Sequence, residues 1–162
     1  MSYFVVDTNV PIVANEKANQ ASPACVLNCA NKLREIQKQH IIVLDDTWLI
    51  INEYKNKLSP SGQPGVGDAF FKWVLTNQAN PQRCQQVKIT PTAENGFQEF
   101  PEEESLANFD KSDRKFVAVA LTHPEKPPIL NAVDSDWKNF EIALKNIGIT
   151  IIFLCSELTT RP

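Results

Sequence analysis

Asp7 stands immediately after Tyr3-Phe4-Val5-Val6, a short apolar run of β formers, and Asp134 immediately after the run Ile129 to Val133. In α/β folds the ligand crevice lies beyond the carboxyl ends of the strands, so acids at these two points gain a meaning that acids elsewhere lack. Asp136 follows two residues later. Glu53 falls four residues after Leu49 and three after Ile50, on the helix face expected to meet the sheet, and Asp113 begins the apolar stripe that Phe116, Val117, Ala120 and Leu121 continue. Asp110, one turn earlier, is a further candidate acid. Carboxylates gathered without a countercharge repel one another and cost several kcal/mol to desolvate, so such a cluster implies a bound cation. With oxygen donors only, that cation is Mg²⁺ or Mn²⁺ rather than zinc. The competing roles are helix capping for Asp7 and Asp134, the helix dipole for Asp113, and for Glu53 an exposed pair with Lys57 at i+4 that contributes about 0.3 to 0.5 kcal/mol.

The elements that must position these acids can be read from caps and periodicity. A strand over Tyr3 to Val6 leads through Asp7-Thr8-Asn9 into a helix containing Pro11. Ser22-Pro23 opens a second helix with Val26, Leu27, Ala30, Leu33 and Ile36 on its apolar face, followed by a strand over 41–44. Asp45, Asp46 and Thr47 cap a helix with Trp48, Leu49, Ile50, Ile51, Tyr54 and Leu58 as its apolar residues, and the Pro/Gly-rich run from Ser59 to Gly65 ends it. A helix over 68–78 and a strand over 87–89 come next. The polar, acidic stretch from Pro91 to Phe109 reads as a long surface loop or short helix. Ser112 caps a helix that ends at Pro124, a strand covers 129–133, a helix covers 137–147 and closes at Gly148, and a last strand covers 149–154. Strands that are continuously apolar, alternating with amphipathic helices, predict a three-layer α/β/α sandwich on a mostly parallel sheet of about five strands.

With 162 residues and 43% hydrophobic content, the chain is expected to form one domain over 1–162. The first residues lack the basic region of a signal peptide and no apolar run approaches about 20 residues, so the expected location is the cytoplasm, with no membrane. Cys25, Cys29, Cys84 and Cys155 contain no Cys-x-x-Cys pair and read as reduced, structural thiols. Cys25 and Cys29 share a helix face at i,i+4, but only His40 and His123 exist to complete a zinc site. A net charge of −3, from 16 Lys and Arg against 19 Asp and Glu, runs against the basic balance usual in nucleic-acid binders. Acids neutralised by a divalent ion, and the run Glu102-Glu103-Glu104 in a loop, soften that objection. Gly62, Gly65 and Gly67 do not form a phosphate loop, since no strand precedes them and no Lys-Ser/Thr follows.

Val6-Asp7-Thr8-Asn9-Val10, then Glu53, then Ser112-Asp113-Arg114-Lys115-Phe116-Val117-Ala118-Val119-Ala120, then Asn131-Ala132-Val133-Asp134-Ser135-Asp136-Trp137 together resemble the PIN-domain family, in order and over nearly the whole chain. The opening Asp-Thr-Asn is the most specific piece. The resemblance implies an acidic quartet of Asp7, Glu53, Asp113 and Asp134, with Asp7, Asp113, Asp134 and Asp136 holding Mg²⁺ or Mn²⁺ and Thr8 and Asn9 ordering the site. It implies hydrolysis of phosphodiester bonds, usually in RNA, with the ion activating a water. Many small bacterial members are ribonuclease toxins, so the implied partners are an RNA, an antitoxin protein and a second copy of the chain. Lys55, Lys57, Lys111, Arg114, Lys115 and Lys138 are the basic residues available to contact substrate, Arg114 and Lys115 foremost. The chain departs from the compact family pattern between Ser59 and Phe109, which is longer.

Two rivals stand beside this reading. One is a PIN-like domain without catalysis, serving as a binding or scaffold module. The other is an Asp-dependent phosphatase, against which counts the lack of an Asp two positions after Asp7.

Overall fold

A computed structural model describes residues 1–155; the last part of the 1–162 expectation, residues 156–162, lies outside it. Its elements run β1 (Tyr3–Val6), α1 (Asn9–Ala14), α2 (Pro23–Gln39), β2 (Ile41–Asp45), α3 (Leu49–Lys57), α4 (Val66–Asn77), β3 (Cys84–Val87), β4 (Pro91–Thr92), β5 (Gly96–Phe97), α5 (Arg114–Thr122), β6 (Ile129–Asn131), α6 (Ser135–Asn139), α7 (Glu141–Asn146) and β7 (Ile151–Phe153). Single 3₁₀ turns at Glu104–Leu106 and Lys111–Asp113 precede α5. Five strands form one parallel sheet in the order β3-β2-β1-β6-β7, flanked by helices as a three-layer α/β/α sandwich. Strand β1 is central because Phe4, Val5 and Val6 are apolar on both faces, all 6% exposed or less.

From β1 the chain winds outward through β2 to β3, then returns across the sheet to place β6 on the other side of β1. The strand order therefore reverses between β1 and β6, the place where α/β folds set their ligand crevice, beyond the carboxyl ends of the strands. Asp7 and Asp134 flank that crevice.

Helix α5 crosses β1, β2 and β6 and has Phe116, Val117, Ala118, Val119 and Ala120 at 0% exposure. A helix buried all round needs a second cover, and the stretch from Pro91 to Phe109 supplies it. It is not the surface loop that its acidity suggests. It forms the β4–β5 hairpin and a 3₁₀ turn, and it buries Phe97, Phe100, Leu106 and Phe109. The rings of Phe109 and Trp137 meet edge to face at 5.1 Å. Its polar residues face out, which is why its composition hides its packing.

Other boundaries moved for local reasons. Trp48 is not part of the apolar face of α3: it takes φ 67°, ahead of the helix, and is 41% exposed. The third strand is Cys84–Val87 rather than 87–89, its glutamines tolerated at the sheet edge. The helix over 137–147 is two helices, divided at Phe140. No helix among the described residues is long and apolar enough to cross a membrane.

Two of the four cysteines depart from the reduced state their context suggests. Cys25 and Cys155 are joined as a disulfide across 130 residues of sequence. That spacing, between α2 and the end of β7, is invisible to any local pattern.

Candidate metal centre

Two strand ends that look alike in sequence carry acids with different duties. Asp45, at the end of β2, is 1% exposed and spends its carboxylate on α3, accepting from Leu49 N at 2.8 Å, Ile50 N at 2.9 Å, and Thr47 N and Oγ1 at 3.1 and 3.0 Å. A carboxylate offers about four lone-pair sites, and these are used. Asp7, at the end of β1, is 4% exposed, yet among the described residues it accepts one hydrogen bond, from Asn9 N to Oδ2 at 3.1 Å. Its remaining lone pairs are available to a ligand.

The backbone around Asp7 is held by both neighbouring layers. Its N–H donates to Leu130 O on β6 at 3.1 Å, and Tyr54 Oη of α3 donates to Val6 O at 2.5 Å. Asn9 then fastens the two strand ends together. Its Oδ1 accepts from Ala132 N at 2.7 Å, and its Nδ2 donates to Asn131 Oδ1 at 2.5 Å. Asn131, fully buried, passes the link on by donating from Nδ2 to Asp134 O at 3.2 Å. Asp134 in turn caps α6 by accepting from Asp136 N at 2.9 Å. Asn131 has an ordering role that its place in the motif did not disclose; an amide ending an otherwise apolar buried strand was the available signal.

Glu53 reaches the same crevice from α3, half-buried. Thr8 Oγ1 donates to its Oε2, and Lys115 Nζ lies 2.6 Å from its Oε1, in place of the Lys57 partner that helical spacing offered. Lys115 also donates to Ser112 O. Asp113 enters from the start of α5, half-buried. Asp110 is exposed, and its Oδ1 accepts from Ser112 N and Oγ, both at 2.9 Å; these bonds lower its pKa and mark it as the cap of the turn into α5. Asp113, and not Asp110, is among the acids whose charge acts on Asp7, while Asp110 acts on Asp113 and Asp134. Asp136 is exposed beside Asp134.

The electrostatics tie these residues into one field. Burial raises the pKa of Asp7 well above the carboxylate range, and Asp113, Glu53 and Asp134 add to the rise. Asp113 is pushed up to about 7 by burial and by Asp134, Asp110 and Glu53, with Lys115 opposing. Asp134 is raised by burial first, then by Asp136 and Asp110. These carboxylates are neighbours in the field without closing on a single point. The described residues whose ligand atoms do close up, within 4.8 Å of one another, are Cys25, Cys29 and Cys155. Like charges with Lys115 as the cation among them stand apart in this way, and a divalent ion would relieve their repulsion. The all-oxygen donor set fits a hard cation such as Mg²⁺ or Mn²⁺.

Arg114, expected to face substrate, is a structural cation. It is 3% exposed, and its guanidinium donates to Phe109 O at 2.9 and 3.1 Å, Asn95 O and Oδ1 at 3.1 Å, Ala107 O at 3.1 Å and Leu106 O at 3.2 Å. It also lies 4.4 Å from the centre of the Phe100 ring. Its neighbours in sequence, Asp113 and Lys115, point to the crevice while Arg114 points to the 91–109 cover and fixes it.

No family model, curated protein or solved structure matches the chain.

Proposed function

We propose that the chain is a metal-dependent endoribonuclease of PIN-like design, hydrolysing phosphodiester bonds in RNA. The observation that carries this reading is Asp7: a buried carboxylate with lone pairs to spare, at the strand-order reversal, in the field of Asp113, Glu53 and Asp134. Protons or a cation must balance that field near neutral pH, and the oxygen donors suit Mg²⁺ or Mn²⁺. Asp7, Asp113 and Asp134 would hold the ion, with Asp136 at the outer edge. When bound, it would lower the pKa of a water and neutralise the phosphate. The chain's own residues do the positioning: Asn9 and Asn131 fix the distance between the two strand ends, and Thr8 and Lys115 orient Glu53 toward the crevice. Lys55, Lys57, Lys111 and Lys138 are the remaining cations for the RNA backbone, and a net charge of −3 makes the ion the main attraction for phosphate.

The expected setting is the cytoplasm, with an antitoxin protein or a second copy of the chain as partner. A second reading, a binding module without turnover, is favoured by one observation: Lys115 already supplies a cation to Glu53 at 2.6 Å. Purified protein incubated with single-stranded RNA and Mn²⁺ or Mg²⁺ separates the two. Cleavage that EDTA stops and Asp7→Asn reduces at least a hundredfold, with the fold unchanged by circular dichroism, supports the nuclease. Equal cleavage by wild type and variant would identify a contaminant, and metal binding without cleavage would favour the module.

A further inference from the structure

Cys25 and Cys29 lie one turn apart on α2, and Cys155 lies two residues beyond β7. All three are buried to 1% exposure or less. The backbone next to Cys155 is fixed to the same helix, since Asn28 Nδ2 donates to Leu154 O at 3.0 Å. A disulfide needs two sulfurs, and here Cys25 and Cys155 provide them. A third is present: Cys29 Sγ stands 3.9 Å from Cys155 Sγ, and the three sulfurs lie within 4.8 Å of one another. Packing alone would be served by any small apolar side chain at position 29.

The spacing suits an ion. A metal about 2.3 Å from each sulfur holds the sulfurs about 3.8 Å apart in tetrahedral geometry and about 4.0 Å apart in trigonal geometry. The Cys29–Cys155 separation already falls between these values. Once the Cys25–Cys155 bond is reduced, those two sulfurs must separate to non-bonded contact, close to the same edge length. We infer that the Cys25–Cys29–Cys155 cluster, in its reduced form, is a site for one thiophilic Zn²⁺ ion, distinct from the acidic crevice. No His, Asp or Glu among the described residues joins the group, so the described residues contribute three thiolates. Three negative charges in apolar surroundings favour a divalent ion over a monovalent one, because it cancels more of the buried charge. The chemistry balances with a dithiol as reductant: two electrons and two protons pass to the Cys25–Cys155 disulfide, the dithiol becomes a cyclic disulfide, and ion binding then releases the thiol protons to solvent. Disulfide and zinc site are thus alternative staples between α2 and the end of the sheet, the first for oxidising surroundings and the second for reducing ones.

Co²⁺ is the probe, titrated anaerobically into full-length protein reduced with a phosphine and followed by the thiolate-to-cobalt charge-transfer band. The expected result is one Co²⁺ per chain with that band, its displacement by Zn²⁺, no band from oxidised protein, and at least tenfold weaker binding by Cys29→Ser. Cys29→Ser retains the Cys25–Cys155 pair, so its fold can be checked in the oxidised state; should it not fold, Cys155→Ser supplies the same comparison. Asp7→Asn keeps the band, which separates this site from the acidic one. A reduced wild type without the band, a variant binding within twofold of wild type, or an equal band from oxidised protein overturns the proposal.

Discussion

Replacing Asp113 by Asn should make the metal-free protein more stable, by an amount that depends on pH. In the unfolded chain this carboxyl loses its proton near 3.8, whereas in the fold it keeps the proton to about 7. Between those values the native state binds more protons than the unfolded state, so the contribution of Asp113 to stability falls as pH rises through that window. A difference of about 3 units corresponds to about 4 kcal/mol at 1.36 kcal/mol per unit, and solvent screening of a half-buried group reduces this to about 1 to 3 kcal/mol. Asparagine fills nearly the same volume without the charge. Urea unfolding of wild type and Asp113→Asn in EDTA measures the difference directly. At about pH 7.5 the variant should be about 1 to 3 kcal/mol more stable, equivalent to roughly 2 to 12 °C in Tm for a chain of this size, and near pH 4 the two should coincide. A variant that is less stable than wild type at pH 7.5, or a difference that ignores pH, would refute the argument that Asp113 stands in a repulsive carboxylate field. Stability gained by deleting Asp113 is what a site strained for the ligand proposed above would show.

Other perturbations separate positioning from packing. Asn9→Ala removes the bonds to Asn131 and to Ala132 N, so it should cost about 1 to 3 kcal/mol in urea unfolding and weaken Mn²⁺ binding at least tenfold. Unchanged Mn²⁺ affinity would show that the strand ends keep their spacing without the clamp. Arg114→Ala should cost about 3 kcal/mol or more, because the carbonyls of Leu106, Ala107 and Phe109 lose a buried charged donor. If Arg114→Ala instead unfolds like wild type and loses only RNA affinity, Arg114 is a substrate contact and not the fastener of the 91–109 cover.

The placing of Asp7 and Asp134 after strands was legible, because the strands were marked by apolar runs of β formers such as Tyr3 to Val6 and Ile41 to Leu44. The cap of α2 was legible too, with Ser22 accepting from Cys25 N as Ser-Pro leads one to expect, whereas Ser112 does not cap α5: it lies inside the preceding 3₁₀ turn, which Asp110 caps. What stayed hidden depended on contacts far apart in sequence. Phe97, Phe100, Leu106 and Phe109 are scattered among acids with no period of 2 or 3.6, so their shared burial follows only from the position of α5 beneath them. Arg114 sits between Asp113 and Lys115, which do face the crevice, and nothing local says that its side chain turns the other way. Asp45 and Asp7 occupy equivalent strand ends; hydrogen-bond use alone distinguishes the structural acid from the one with capacity to spare. The Cys25–Cys155 pairing required the return of β7 to the side of α2.

If Asp7, Asp113 and Asp134, from three separated stretches of chain, hold one divalent ion, calorimetric titration of Mn²⁺ into reduced, EDTA-treated protein will register it. Wild type should bind Mn²⁺ with release of protons near pH 7, because without the ion Asp113 is pushed up to about 7 and Asp7 is raised by its burial, and Asp7→Asn should bind at least tenfold more weakly. Wild type that takes up no Mn²⁺ at millimolar concentration, or a variant that binds it equally well, would contradict the account.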